Sequence, residues 1–182
     1  MNSSYIIRKA DLSDVLNLTV LKQQVWISTY AFNGIRDELS QYVLENFTPD
    51  KIKSTIDNPN NIVLVAEKDD HIVGCAEIDL SSQCPEENYF GSPEISVLYV
   101  LERFQWIGIG KKLLNKCIDV LALLGYKSTW LTVYDQNFQA IKFYERNGFE
   151  NIGCTHFKMG GNKIPNEIMF LTFNNMVKNE NS

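Results

Sequence analysis

The sequence predicts an α/β fold: a single domain whose mixed sheet is flanked by helices. Its 182 residues suit one domain with a sizeable core. Apolar runs with strand character alternate with segments whose apolar residues recur at helical spacing. Two of the strand-like runs lead directly into a helix, as in a parallel crossover. In sheets of this kind, ligands bind at the carboxyl ends of the strands, near a helix N-terminus.

The first half of the chain predicts a strand, three helices and a hairpin. Asp11 caps the first helix, and Thr48 and Pro49 begin the third, because threonine is a good N-cap and proline suits the first helical position. A charged turn at 68–71 joins two strand-like runs, which predicts a hairpin. The predicted bounds are residues 5–9 for the first strand, 38–47 for the second helix, and 61–67 and 72–80 for the hairpin strands.

The second half alternates strands with helices after a polar loop. Gly125 and Gly148 stand where two helices are expected to end, and Asn137 caps the second of them. The predicted elements are a strand from Glu94, a helix over 108–124, a strand over 128–134, a helix between Asn137 and Gly148, and closing strands over 149–158 and 167–173. We expect the domain to cover residues 1–176, followed by a polar tail over 177–182.

Composition and charge disfavour several classes of protein. A formal net charge of −5 does not suit a dedicated nucleic-acid binder, because phosphate contacts need a basic surface. The four cysteines have no CxxC spacing and there are only two histidines, which disfavours a zinc site or a disulfide framework. Neither an apolar targeting segment nor a bilayer-spanning stretch is recognisable. We expect a cytoplasmic monomer or homodimer that binds no metal, membrane or nucleic acid.

The stretch from Glu94 to Leu114 carries the strongest functional signal: a strand, a turn with two glycines, and an amphipathic helix. Unpaired N–H groups and the helix dipole make a helix N-terminus attractive to phosphate. Gly108 and Gly110 let the backbone approach such a group because they carry no Cβ, and Lys111 adds positive charge. The same glycine pair can also serve only as a tight connection, so this motif alone leaves both interpretations open.

Two motifs together point to one family. The pattern Leu98-Tyr-Val100, then Gln105-x-x-Gly108-x-Gly110, resembles the acetyl-CoA-binding motif of the GNAT superfamily of N-acetyltransferases. The block over 131–149 resembles the next strand and helix of that family. The resemblance covers essentially the whole chain and implies a mostly antiparallel sheet in which parallel strands four and five splay apart around acetyl-CoA. It implies donor-binding roles for Leu98, Tyr99, Val100, Gln105, Trp106, Ile107, Gly108, Ile109, Gly110, Lys111, Asn137 and Tyr144.

The resemblance also implies a general acid for the leaving thiolate and a hydrogen-bond donor for the oxyanion. Tyr144 matches the family's tyrosine that protonates the departing thiolate, and packing beside Phe143 is the alternative role for a buried tyrosine. The backbone N–H of Leu98 would donate to the thioester carbonyl.

The general base is less sharply indicated. Glu94 matches a glutamate that several members use as the base, directly or through a water, with an exposed strand-edge carboxylate as the alternative. The chain departs from many relatives at Ser96, where they carry an acidic residue. Glu77 and Asp79 are reserve candidates for the base or for substrate anchors. No cysteine stands beside a recognisable histidine base, which favours direct attack over an acyl-enzyme.

The acceptor is expected to be a small primary amine. The C-terminal half resembles bacterial spermidine/spermine N-acetyltransferases, which implies a polyamine, while a protein or peptide amine and a non-enzymatic acetyl-CoA sensor are the alternatives. In this family the acceptor pocket comes from the first two helices, the loop after strand three and the last hairpin. Candidate aromatic residues are Trp26, Tyr30, Phe32, Tyr89 and Phe90, and candidate carboxylates are Asp37, Glu38, Glu77, Asp79, Glu86 and Glu87.

Overall fold

The structure is a computed structural model that describes residues 5–173. Its strands are β1 (Ile6–Lys9), β2 (Asn61–Lys68), β3 (His71–Asp79), β4 (Glu94–Val100), β5 (Ser128–Tyr134), β6 (Glu150–Met159) and β7 (Asn162–Thr172). Its α-helices are α1 (Val15–Tyr30), α2 (Asp37–Asn46), α3 (Pro49–Asp57), α4 (Ile109–Leu123) and α5 (Phe138–Arg146). The predicted polar tail over 177–182 lies outside the described residues.

All seven strands form one mixed sheet in the order β1-β2-β3-β4-β5-β7-β6. The neighbours β4 and β5 run parallel, and every other neighbouring pair runs antiparallel. The predicted fold class is therefore confirmed. The predicted hairpin forms through Asp69 and Asp70, which both adopt left-handed backbone angles, as the two central residues of a tight hairpin turn require.

The closing hairpin differs from the prediction. The prediction that the last strand begins at Glu167 is wrong. β7 begins five residues earlier, at Asn162, which pairs with Met159 of β6. Gly160 and Pro165 are typical of a loop, but the glycine makes a tight turn and the Pro165 carbonyl accepts a bond from the Asp135 N–H (3.2 Å). β7 also inserts between β5 and β6, so the crossover through α5 spans one intervening strand.

Helices cover both faces of the sheet. On one face α4 and α5 contribute Leu113, Leu121 and Tyr144 to a core with side chains of β2 to β5. On the other face α1 and α3 contribute Leu18 and Ile52 to a second core with β2 and β3. The sheet is thus the middle layer of three, and a gap in it would connect its two faces.

Candidate active site

The parallel strands β4 and β5 separate almost at once. Glu94 opposite Trp130 is their one residue pair, and there the Trp130 N–H donates to the Pro93 carbonyl (3.1 Å). Beyond this point the two strands have no further register partners among the described residues. The edge of β4 that faces β5 is therefore open towards its carboxyl end, which is the splay that the family resemblance implied.

A bulge in β4 bends the strand where the gap begins. Val97 stands opposite Glu77, whereas Ile95 stands opposite Ile78, so Ser96 is an extra residue without a register partner. An extra residue in one strand bends it and increases its twist. The bulge also makes Ile95 and Leu98, three positions apart, share the α4 face of the sheet, where both contact the same core.

A cavity of about 980 Å³ passes through the gap. Leu98 and Val100 reach it from the α4 face of the sheet, and Val97 and Tyr99 from the α1 face. One continuous space therefore joins the N-termini of α4 and α5 to a chamber beneath α1 and α2. We refer to these two parts as the donor half and the acceptor half.

The donor half is built around the start of α4. Gly108 is the N-cap of this helix and has φ +90°, a left-handed conformation that a side chain disfavours. The N–H groups of the first helical turn have no partner within the helix and face this end of the cavity. The Gln105 side chain donates to the Val100 carbonyl (3.2 Å), which ties the turn to the end of β4.

Positive charge surrounds the same opening. Lys111, Lys142 and Arg146 all line the cavity, the last two one turn apart on α5. Asn137 caps α5, its Oδ1 accepting a hydrogen bond from the Ala140 N–H (3.2 Å). A helix start without side chains at its cap and three flanking cations suit a ligand with several phosphate charges.

Most of the predicted donor-binding residues line the cavity, and all of these except Tyr99 belong to its donor half. Ile107 and Ile109 are not part of the cavity wall, because Ile109 is a core residue and Ile107 is exposed beside it. Those that line the cavity are Leu98, Tyr99, Val100, Gln105, Trp106, Gly108, Gly110, Lys111, Asn137 and Tyr144.

Tyr144 lies on the buried face of α5 and is 8% exposed. Its ring packs edge-on against Phe143 and Phe149, at 5.3 and 5.5 Å between centroids. Burial, with a small contribution from nearby Cys117, raises the pKa of the Tyr144 phenol. The hydroxyl thus stays protonated over a wider pH range than that of a free tyrosine.

Glu94 lies at the other end of β4 and is not part of the cavity wall. The Ser82 hydroxyl donates to its carboxylate (2.7 Å). Burial raises the pKa of Glu94, Ser82 opposes that shift, and the nearby Asp79 adds to it. Glu94 stands opposite Asp79 of β3, and Asp79 is two residues after Glu77 on that strand.

Glu77 is the carboxylate that lines the cavity. It is 8% exposed and forms an ion pair with Lys22 of α1, a residue that sequence reasoning did not select. Lys22 nevertheless carries a signal, because it follows Leu18 and precedes Val25 at helical spacing on the buried side of α1. A lysine on an apolar helix face is unusual unless it has a buried partner.

Aromatic side chains form the far wall of the acceptor half. Of the predicted candidates, Trp26 and Tyr30 line the cavity. Phe32 and Phe90 are exposed, and Tyr89 packs against Phe170 instead. The wall also includes three aromatic residues that sequence reasoning missed: Tyr42, Phe47 and Phe157.

Similarity to known proteins agrees with this geometry. The model of the acetyltransferase (GNAT) family matches residues 32–149, which is more than half of the chain. This chain belongs to the GNAT acetyltransferase family. GNAT enzymes are acyltransferases whose donor is acetyl-CoA, and the donor half of the cavity has the glycine-lined helix start and the cations that such a donor needs.

Individual relatives support the GNAT assignment. The spermine/spermidine N(1)-acetyltransferase of Bacillus subtilis is 34% identical over 94 residues, which are 51% of this chain and 60% of that relative. PaiA N-acetyltransferase of Thermoplasma acidophilum, solved with coenzyme A, has the same fold at a TM-score of 0.76 and 23% identity, covering 93% of this chain and 99% of that one. YncA of Salmonella typhimurium, solved with its cofactor acetyl-CoA, has a TM-score of 0.67 at 21% identity and covers 99% and 100%.

Residues 5–173 of this GNAT domain lack two features. None of its helices in that range is long and apolar enough to cross a membrane. Within the same range, no group of three or more His, Cys, Asp or Glu side chains is arranged to hold a metal ion. A cytoplasmic location stays a prediction from the sequence.

Proposed function

We propose that this GNAT domain transfers the acetyl group of acetyl-CoA to a primary amine by direct attack within a ternary complex. The observation that carries the proposal is the continuous cavity through the gap between β4 and β5. It gives donor and acceptor separate chambers on opposite faces of the sheet. The two reactants can therefore be bound together and meet inside the gap.

The chain holds the donor mainly with its backbone. The backbone from Gln105 to Lys111 binds the pyrophosphate through its free N–H groups at the start of α4, where Gly108 leaves the approach clear. The open edge of β4 at Leu98 and Val100 pairs with the pantetheine arm, as an added strand would. The side chain of Asn137 adds a hydrogen bond to the same arm, since its NH2 group is not needed for the helix cap.

The transfer step forms a carbon–nitrogen bond and breaks the carbon–sulfur bond of the thioester. The Leu98 N–H donates to the thioester carbonyl oxygen as negative charge builds on it. This hydrogen bond lowers the activation barrier by about 3 kcal/mol. Tyr144 gives its phenolic proton to the departing sulfur, and the amine gives a proton to the general base. The products are an N-acetylated amine and CoA as the free thiol, and exchange with water returns the proton from the base to the Tyr144 phenolate.

The cysteines support direct attack. Burial raises the pKa of Cys75 and of Cys117 to about 12, so neither is a ready nucleophile at neutral pH. Cys84 is buried beside Trp130, and Cys154 is exposed on β6. None of the four belongs to the cavity wall.

The position of the cavity supports Glu77 as the general base, with Glu94 as the alternative. Glu77 contacts the acceptor half directly, whereas Glu94 is two residues further along the sheet and needs a bridging water. The two are distinguished by Glu77→Gln and Glu94→Gln: the variant that loses the acidic limb of the kcat profile lacks the base.

Sequence similarity supports a polyamine as the acceptor. The basis is the name of the Bacillus relative, which aligns over 51% of this chain. Spermidine therefore belongs in any first assay, and transfer to it at no more than the background rate would remove this finer proposal.

The proposed function is tested with the purified chain, acetyl-CoA and a broad panel of amines. Release of free thiol and the mass of the acetylated product are measured together. Amine-dependent thiol release with a matching acetylated product is the expected result. Tight acetyl-CoA binding without acetylation of any amine would contradict the proposal and favour an acetyl-CoA sensor instead.

A further inference from the structure

The two halves of the cavity differ in charge. The donor half contains Lys111, Lys142 and Arg146, while the acceptor half contains Lys22 and Glu77, which pair with each other. Among the described residues that line the cavity, Glu77 is the one carboxylate. The acceptor half therefore has no net charge, and its carboxylate already has a cationic partner.

The other carboxylates that could anchor a polyamine lie away from the cavity. Asp79 accepts hydrogen bonds from the N–H and the hydroxyl of Ser81, and Glu38 lies 3.5 Å from Arg36. A polyamine has several ammonium groups, and burying an ammonium group without a partner is costly. Of the carboxylates predicted as cation anchors, those outside the cavity wall are Asp37, Glu38, Asp79, Glu86 and Glu87.

The aromatic wall does not supply a substitute for these carboxylates. Trp26 is its centre: Tyr42 stacks on the indole at 4.7 Å and 10°, Tyr30 lies at 4.5 Å, and Phe157 meets it edge-on at 5.7 Å and 69°. The indole of Trp26, the ring that binds cations best, is thus packed against other rings. Ring edges, which carry partial positive charge, attract the face of another aromatic ring and repel an ammonium group.

We infer that the acceptor is a monoamine with an aromatic body, and not the polyamine that the name of the Bacillus relative suggests. The inference rests on the proposed acetyl transfer and narrows its substrate class. The ring packs against the wall formed by Trp26, Tyr30, Tyr42 and Phe157, and the amine points towards Glu77 and the gap between β4 and β5. Tyr30, Tyr42 and Tyr99 line the cavity. Burial raises the pKa of the Tyr99 phenol, and the nearby Tyr30, Glu77 and Tyr42 add to that shift.

The test compares an aromatic monoamine, an aliphatic monoamine, a diamine and a triamine: 2-phenylethylamine, hexylamine, 1,4-diaminobutane and spermidine. We expect kcat/KM for 2-phenylethylamine to exceed that for spermidine by about tenfold or more, since a well-fitted apolar group is worth that much in specificity. A kcat/KM for spermidine that equals or exceeds it overturns the inference and leaves the acetyl transfer intact. Transfer to none of these four amines also overturns the inference, whereas the proposed acetyl transfer falls only if the broad amine panel gives no product either.

Variants of the wall add a second measurement. Tyr42→Leu removes a ring that stacks on Trp26, and we expect it to raise KM for 2-phenylethylamine more than KM for hexylamine. Phe157→Leu repeats the test from β6, so that a folding defect in one variant, seen by thermal melting, does not decide the outcome. Phe90→Leu is the matched control, an exposed aromatic residue outside the cavity, and leaves both KM values unchanged. Equal effects on the two amines in both wall variants would contradict an aromatic subsite.

Discussion

Lys22 on α1 and Glu77 on β3 form a buried ion pair on the wall of the cavity, although 55 positions separate them in the sequence. Their side chains are 4% and 10% exposed. The pair attaches α1 to the sheet at the point where the β4 bulge begins, because Glu77 stands opposite Val97. The same two residues therefore stabilise the fold and line the acceptor half of the cavity.

Breaking this pair should destabilise the fold. Lys22→Met leaves the Glu77 carboxylate buried without a partner, and Glu77→Gln leaves the Lys22 ammonium in the same position. Each should lower the free energy of unfolding by about 3–5 kcal/mol, measured by urea denaturation. The double variant should lose far less than the sum. Glu38→Gln, which removes the exposed pair with Arg36, is the control and should cost no more than about 1 kcal/mol. Additive losses in the double variant would show that the two residues do not act as a pair.

Tyr144→Phe tests the acid. The variant keeps the ring that packs against Phe149 and loses only the hydroxyl, so the fold and the Kd for acetyl-CoA should stay nearly unchanged. We expect kcat to fall by about 100-fold, the lower end of the usual contribution from a positioned acid. Tyr89→Phe, outside the cavity, is the matched control. Unchanged kcat in Tyr144→Phe would reduce this residue to a packing role.

Gly108→Val tests the position of the donor phosphates. A left-handed residue with a Cβ costs roughly 1–2 kcal/mol of stability, and the valine side chain would also occupy the space in front of α4. Gly125 has nearly the same φ, +91°, and equally open surroundings, but lies outside the cavity. Gly108→Val and Gly125→Val should therefore lose similar stability, while calorimetry detects loss of acetyl-CoA binding in the first variant alone. Normal binding by Gly108→Val would refute the placement of the pyrophosphate.

Glu94→Gln should change stability in a pH-dependent way. Burial raises the pKa of Glu94, so the folded chain holds this proton more tightly than the unfolded chain does. The favourable contribution of the carboxyl group is complete below its ordinary pKa of 4.5 and is lost as pH rises through the folded value. A glutamine avoids that loss and still accepts the Ser82 hydrogen bond.

The variant should therefore be more stable than the parent chain at pH 7, and the difference should vanish below about pH 4.5. Thermal melts across this range measure the effect, with Glu150→Gln on the exposed surface of β6 as the control. A loss of stability that is the same at all pH values would contradict this account of Glu94.

The local features of the donor half could be predicted from the sequence. Gly108 at the helix start, the Asn137 cap and the position of Tyr144 on the buried face of α5 depend on residues within one or two turns of each other. Capping, left-handed glycines and helical spacing act over such distances, so the pattern in the chain is enough. For the same reason the order of helices and strands was predicted, with the start of β7 as the exception.

Most of the acceptor half could not be predicted from the sequence, because it is formed by contacts between distant segments of the chain. Whether Glu77 or Glu94 borders the cavity follows from their places along the sheet. Glu77 stands opposite Val97, beside the open gap, whereas Glu94 stands where β4 and β5 still pair. The Lys22 partner and the neutral aromatic wall likewise arise only when α1, α2 and β6 pack around the gap. Local sequence thus specified the helix starts and the donor motif, while the charge and shape of the acceptor chamber came from long-range packing, which no short stretch of residues encodes.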